Sequence, residues 1–369
     1  MINRRLIRNF DFYLLLATIA LCAAGTFTLY SATHGMEGLP DPLYFVKRQL
    51  LFIGVGAALM LLVCFIDYVN FKNWTAYLYV ANLILLVLVL VIGEVEKGAM
   101  RRIPIGFFDL QPSEIAKVVI IITLACLLAE KEGKLPYFQD LLPALGATAL
   151  PMVLIFLQPD LGTSLIYLAI LLGMLYVAGV QGRHLGLLIG SGLAAAPLFW
   201  FFLLEEYQKN RLLAFINPEM DPTGKGWQLL QSIIGIGSGG LLGKGPFNST
   251  QVRLGFLPDH YTDMIFAVFG EEMGYVGAVA LLLLYLFLIY RILWIATQAK
   301  DQFGALLCCG VAVMFFFQVL VNIGMTISVM PVTGIPLPFM SYGNNALLVN
   351  LTSIGLVLNV AMRRHKLQF

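Results

Sequence analysis

Apolar runs of membrane-spanning length, separated by short polar segments, recur along this chain from residue 12 to residue 362. A span needs roughly 20 apolar residues to cross a bilayer core of about 30 Å, and about ten runs qualify. They lie near 12–31, 47–67, 74–93, 113–130, 141–157, 163–181, 184–204, 264–297, 304–329 and 343–362. The eighth is too long for one upright crossing at about 1.5 Å per residue, so it tilts, breaks or extends past the membrane. Gly270, Gly274 and Gly277 are the places along it for a bend or for close contact with another helix. The first run follows Arg4, Arg5 and Arg8, continues well past a signal-peptide core and lacks a cleavage site, which makes it a retained anchor.

Composition points the same way. With 59% hydrophobic and 12% charged residues and a mean hydropathy of +0.85, the chain lacks the polar surface that a soluble domain of this size needs. The expected fold is an all-α polytopic membrane protein of about ten transmembrane helices. It forms a single domain over residues 1–369, with a long extracytoplasmic loop, 205–262, between spans seven and eight. A net charge of +2 is too small to imply a nucleic-acid partner, and none is expected. Cys22, Cys64, Cys126, Cys308 and Cys309 all lie in apolar runs without a CxxC spacing, and read as buried thiols.

An even number of crossings puts both termini on one side. The N-terminal arginines, Lys72, Lys131, Lys134, Arg183, Lys300, Arg363, Arg364, His365 and Lys366 share that side, which the positive-inside rule makes cytoplasmic. The loops near 32–46, 94–112, 158–162 and 330–342 and the long loop are then outside. The long loop carries Lys209, Arg211, Lys225, Lys244 and Arg253, which the rule discounts because long loops cross largely regardless of charge. Lys47, Arg48, Lys97, Arg101 and Arg102, on or beside two shorter outer loops, run against it.

Several polar residues collect at the outer boundary. Gln111-Pro112-Ser113-Glu114 opens the fourth span, Gln158-Pro159-Asp160 closes the fifth, and Asp263 carries a carboxylate from a polar loop into the eighth. Pro112 suits the first helical turn, with Glu114 near the positive helix end. Lys117 lies one turn inside the apolar run, on the Glu114 face at i,i+3; it is either half of a structural ion pair or part of a site. Asp160 either caps the sixth span or serves a site. Glu271 and Glu272 lie deeper in the eighth span, where adjacent carboxylates need partners or water; a structural and a functional role both fit, and Arg291 is too far along the helix to be their partner.

The outer segment Ile233 to Gly245, IIGIGSGGLLGKG, invites a phosphate-loop reading and fails it. Ser238 stands six residues before Lys244 where the motif needs Gly, and Gly245 follows where it needs Ser or Thr. The stretch Trp227 to Ile236 suits an interfacial helix over a lipid substrate, with Trp200 and Trp227 at the headgroup level. An acid at an outer membrane surface flanked by basic residues suits proton abstraction from a sugar hydroxyl, with lysine, arginine or a divalent ion meeting a diphosphate leaving group. Proton-coupled transport is the other chemistry such acids serve.

The run from Gly237 to Gly274, GSGGLLGKG followed by STQVRLGFLPDHYTDMIFAVFGEEMG, resembles the signature outer loop and helix of the SEDS proteins (shape, elongation, division and sporulation). Gly98-Ala99 with Arg101, Gln111 to Glu114 with Lys117, Gln158 to Ser164, and Gly334 to Gly343 are similar to further blocks of that family, in the same order. The resemblance implies a peptidoglycan glycosyltransferase that polymerises lipid II on the outer face of the bacterial cytoplasmic membrane. Its partners would be lipid II, the growing glycan strand, a class B penicillin-binding transpeptidase and the elongation machinery. Asp263 matches the family's essential aspartate, as general base or metal-positioning acid. In the mechanism so implied, Arg101 and Lys117 are candidates to bind diphosphate, with Glu114 and Asp160 orienting them and Thr262 and Ser341 as further substrate-binding candidates. No clustered ligand set fixes a metal; a divalent cation, magnesium or manganese, is compatible with the chemistry, and no organic cofactor is implied.

The chain departs from the family pattern at Arg102, where a Trp is common, at Tyr261, where a His usually precedes Thr262, and at Asn344 and Asn345, in place of Gly and Ser. GKG followed by STQVRLGFLP, with short termini, looks more like the elongation branch than the division or sporulation branches. A lipid-precursor flippase or proton-coupled transporter, relying on Lys117, Glu271 and Glu272, is the first alternative. A non-catalytic scaffold for the transpeptidase is the second.

Overall fold

The computed structural model describes residues 8–34, 41, 43–96, 99–106, 108–131, 135–221 and 224–364. The readings placed on Arg4, Arg5, Lys97, Gly98, Lys134, His365 and Lys366 lie outside these residues. The apolar runs become helices α1 (Phe12–Thr33), α2 (Tyr44–Phe65), α3 (Tyr68–Ile92), α4 (Pro112–Ala129), α5 (Leu142–Leu157), α6 (Leu161–Val177) and α7 (Gly182–Leu198). The long loop is itself helical, with α8 (Glu206–Ile216), α9 (Lys225–Ser238) and the single turn α10 (Thr250–Arg253). The last three spans are α11 (Ile265–Thr297), α12 (Gln302–Thr326) and α13 (Asn344–Met362). Among the described residues nine helices are long and apolar enough to cross a membrane, and α6 is the shorter tenth.

The connection from α3 to α4 is more ordered than a plain loop. Strands β1 (Glu94–Glu96), β2 (Ala99–Ile105) and β3 (Phe108–Leu110) form a small antiparallel sheet with β2 in the middle, Arg102 opposite Glu94 and Ile103 opposite Leu110. That sheet holds Arg101 and Arg102 over the end of the bundle.

Helices α4, α12 and α13 form the centre, each with most of its residues buried, whereas α7 has none buried. Lipid is as apolar as leucine, so close backbone approach, not apolar burial, selects neighbours here. Small residues accordingly mark the crossings: a Cβ at Gly355 would lie 2.8 Å from the Met60 carbonyl oxygen, and one at Gly310 would lie 2.7 Å from Ile121.

At the end that carries the termini, aspartates begin the helices. Asp11 accepts from Leu14 N at 3.0 Å and Asp301 from Gly304 N at 2.7 Å, satisfying first-turn donors. Asp11 also accepts from Nε and Nη2 of Arg291 on α11, at 2.7 to 3.0 Å, and Asp301 accepts from Tyr68 Oη at 2.6 Å. Arg291 is thus paired across the bundle, far from Glu271 and Glu272.

The long eighth span is broken. Gly274 sits inside α11 at φ 65° and ψ −168°, outside helical geometry and in a region that glycine alone occupies without strain. A break in a span frees backbone groups, and each one left unsatisfied in hydrocarbon costs several kcal/mol. The glycine-rich segment after α9 satisfies them. Lys244 N and Gly245 N donate to the carbonyls of Glu271 and Glu272, both at 3.0 Å. On the other side of the break, Tyr275 N and Val276 N donate to Gly240 O at 2.9 Å and Leu241 O at 3.1 Å. A Cβ on Gly243 would lie 2.1 Å from Glu272 O and one on Gly239 2.3 Å from Gly270 O, so this segment must be glycine to enter the break. The expected interfacial helix, α9, turns Gln228, Leu229, Ser232 and Gly235 inward, and Ser232 Oγ donates to Thr326 O at 2.7 Å.

Replacing Asp11 by Ala leaves Arg291 without its carboxylate and removes the α1 cap. The expected cost is about 3 kcal/mol, typical of breaking a buried pair. Thermal unfolding in detergent should show it, and Asp11→Ala combined with Arg291→Met should recover most of the loss.

Candidate active site

Helix alternation brings the ends of α1, α3, α5, α7 and α12 and the starts of α2, α4, α6, α11 and α13 to one end of the bundle, where the long loop also lies. A polar cavity of about 340 Å³ opens there. Its walls include Arg101, Arg102, Arg211 and Lys225 together with Asp109, Glu114, Asp160, Asp259 and Asp263, so four cations face five acids.

Asp263 occupies a turn just before α11, with Thr262 N and Met264 N both donating to Asp259 O, at 3.1 and 3.2 Å. Its backbone is fixed from α12: the buried Asn322 donates through Nδ2 to Asp263 O at 3.0 Å and to Ile335 O at 2.8 Å. One amide thereby ties the acid's turn to the loop before α13. On that loop Gly334, at φ 77°, leaves room for the carboxylate; a Cβ there would sit 3.4 Å from Asp263 Oδ2 and 4.0 Å from Arg211 Nη1. The two side chains therefore converge over one glycine.

Arg211 comes from α8 and donates to Thr333 O at 3.3 Å. Burial holds its guanidinium below the usual arginine range, and Arg101 pushes the same way, while Tyr207, Asp263 and Asp160 oppose them. Arginine stays protonated regardless. Arg101 Nη2 donates to Pro159 O at 2.6 Å, a carbonyl that Tyr207 Oη also meets at 2.6 Å. Arg101 Nε is buried and makes no hydrogen bond among the described residues. Two partly desolvated guanidinium groups with donors to spare suit an anion such as phosphate.

The other sequence candidates divide. Asp160 caps α6, accepting from Thr163 N at 3.1 Å and Thr163 Oγ1 at 2.9 Å, and still lines the cavity. Thr262 lines it as well, its hydroxyl donating to Asp259 O at 3.2 Å. Glu114 reaches the cavity and pairs with Lys117 at 2.7 Å; Lys117 is fully buried and does not line it. In this arrangement Lys117 neutralises Glu114 instead of facing the cavity. Ser341 does not line it either, because its Oγ accepts from Leu337 N at 2.8 Å inside the turn before α13. Glu271 and Glu272 lie outside the cavity, the first bonded to Lys244 of the long loop and the second to Ser31 of α1.

Sequence reasoning misses Arg211, Lys225 and Asp259 as wall residues. Lys225 pairs with Asp259 at 3.4 Å. Positive residues in a long loop say little about topology, and only Lys225 and Asp259 flanking recognisable segments could have singled them out. It also misses Phe45, which packs on Tyr261 at 4.8 Å and Tyr342 at 5.0 Å to form an aromatic wall. Tyr261, a departure from the family pattern, thus has a packing role, and Tyr342 N donates to its carbonyl at 2.9 Å. Among the described residues no group of three carboxylate, imidazole or thiol side chains comes together to hold a metal ion.

Residues 12–366 match the cell cycle protein family of FtsW, RodA and SpoVE. The chain is 38% identical over 359 residues to the peptidoglycan glycosyltransferase MrdB of Escherichia coli K12, covering 97% of this chain and 95% of that protein. Among solved structures it resembles a chain from a peptidoglycan synthase complex described as structurally coordinating polymerization and crosslinking. That chain has a TM-score of 0.80 and 34% identity, over 95% of this chain and 97% of that one. It also resembles the rod shape determining protein RodA of Thermus thermophilus, with a TM-score of 0.71 and 32% identity over 97% and 98% of the two chains.

Asn322→Leu, close in size but without donors, should lower thermal stability by about 1 to 3 kcal/mol, the cost of leaving buried carbonyls unpaired. His260, in the same turn, is held below its ordinary pKa of 6.5 chiefly by burial, although the Leu257 carbonyl opposes the shift. The unfolded chain therefore binds this proton first as pH falls, and stability drops from about pH 6.5 downward. Melting curves between pH 7.5 and pH 5 (roughly the range in which histidine titrates) should show a shallower acid loss for His260→Gln than for the unaltered protein.

Proposed function

The chain belongs to the FtsW, RodA and SpoVE family, and from that premise we propose that it polymerises lipid II into glycan strands during cell elongation, with Asp263 as the acid at the reacting centre. It is a peptidoglycan glycosyltransferase of cell-wall synthesis and a multi-pass membrane protein. The observation that carries the finer reading is the convergence of Asp263 and Arg211 over Gly334, in a cavity that also contains Arg101.

In the proposed reaction the Asp263 carboxylate takes the proton of the 4-hydroxyl of the acceptor GlcNAc. The freed oxygen attacks the anomeric carbon of the lipid-linked donor MurNAc, a β-1,4 bond forms, and the bond to the diphosphate breaks. Undecaprenyl diphosphate leaves with the electron pair, and its charge is met by Arg101 and Arg211. Lys117 supports this at one remove, by compensating Glu114 in the cavity wall.

A second feature supports a lipid-linked substrate. An apolar groove of about 680 Å³ runs between α1 and α2, lined by residues from Leu15 to Tyr30 and from Leu43 to Met60. Leu43 and Val46 face it while Phe45 lines the polar cavity, so a hydrocarbon tail and a charged head find adjacent environments across the first turn of α2. The cavity on the outer face and both termini in the cytoplasm follow the distribution of positive residues. A class B penicillin-binding transpeptidase is the proposed partner, in keeping with the synthase complex that the fold resembles.

Asp263→Ala, assayed with purified protein, its transpeptidase partner and lipid II, should lose polymerisation by at least about 100-fold, the lower range for a general base. Glycan chains of normal length from that variant would overturn the assignment. Movement of lipid II across vesicles without polymer would favour a transporter.

A further inference from the structure

We infer that Glu271 and Glu272, with Lys244 and Ser31, form a clamp through which the long outer loop positions Asp263. The inference rests on the reading of Asp263 as the reacting acid. Asp263 lies in the turn that leads into the first segment of α11, and the break at Gly274 separates that segment from the rest of the span. A helix of two or three turns is marginal by itself, so external contacts set where it sits. Asn322 holds its start; the clamp holds its end.

The contacts at that end are dense. Glu271 accepts from Lys244 Nζ at 2.6 Å, Ser249 Oγ at 2.5 Å, Thr250 Oγ1 at 2.6 Å and Thr250 N at 2.9 Å, so one carboxylate both pairs with the loop's lysine and caps α10. Glu272 accepts from Ser31 Oγ at 2.6 Å, and that hydroxyl in turn accepts from Phe247 N at 2.7 Å. The adjacent carboxylates therefore reach different partners, one the loop and the other α1. Phe247 packs edge to face on Tyr30 at 5.2 Å, and Tyr30 lines the apolar groove. Both glutamates are buried, and neither lines the polar cavity. They act on the reaction through the placement of Asp263, and small displacements of a reacting group are costly: about 1 Å can cost about 100-fold in rate.

The test uses the full chain with its partner and lipid II, and compares Lys244→Met, Lys244→Arg and Gly243→Ala. Lys244→Met removes the charge, whereas Gly243→Ala wedges the clamp sterically, since its Cβ would lie 2.1 Å from Glu272 O. Both should lower kcat by about tenfold or more, equivalent to about 1.4 kcal/mol of transition-state stabilisation, with KM within about twofold. Lys244→Arg should retain activity. Hydrogen exchange should accelerate in residues 259–273 and stay unchanged in 277–297. Unchanged kcat in the two disruptive variants, or exchange that rises equally in both parts of α11, would overturn the clamp as a positioning device. If Asp263→Ala polymerises normally, the functional reading fails by itself, while the exchange pattern still reports whether the clamp holds the segment.

Discussion

A backbone broken inside hydrocarbon must find partners for its freed amides and carbonyls, and the structure around the site follows from how this chain meets that requirement. The break at Gly274 is bridged by backbone from the glycine-rich segment of the long loop, which donates to one half of α11 and accepts from the other. Because each unsatisfied group there costs several kcal/mol, the loop is no optional cover. It is part of the span. Its glycines are explained by the same constraint, since any side chain at Gly239 or Gly243 would collide with the carbonyls being capped.

The cavity depends on that arrangement. With α11 divided, its short first segment can present Asp263 at the bundle end, where Asn322 and Gly334 fix the acid against the loop before α13. α8 brings in Arg211 from the long loop, and β2 brings in Arg101 from the connection after α3. Acids and cations in nearly equal number keep the site near neutrality. That balance suits the proposed pairing of a diphosphate with a base, since a purely cationic pocket would suppress the base and a purely acidic one would repel the phosphate.

Much of the frame was legible in the apolar runs. The lengths predicted the spans to within a few residues, and the length of the eighth called for a tilt, a break or an extension past the membrane, of which the structure has the break at Gly274. Which neighbours each helix takes was not legible, because faces turned to lipid and faces turned to protein are equally apolar and leave no stripe to read. The small sheet between α3 and α4 also escaped, since its strands are short. At the site, Asp263, Arg101, Glu114, Asp160 and Thr262 are cavity residues, whereas Lys117 and Ser341 are spent on an ion pair and a turn. Spacing along a helix shows that Glu114 and Lys117 can meet, but not which of them faces the cavity.

Taken by itself, the sequence determined that this chain spans a membrane, about how many times, and where costly polar groups collect at one boundary, because these properties depend on length and local composition. Only the tertiary structure decided that Arg211 stands over Asp263, that Asn322 anchors the acid's turn, and that Glu271 and Glu272 tie α11 to the long loop and to α1 instead of lining the site. Those contacts join residues tens to hundreds of positions apart, and they are set by helix packing and by the need to satisfy every buried polar group, neither of which a local pattern encodes.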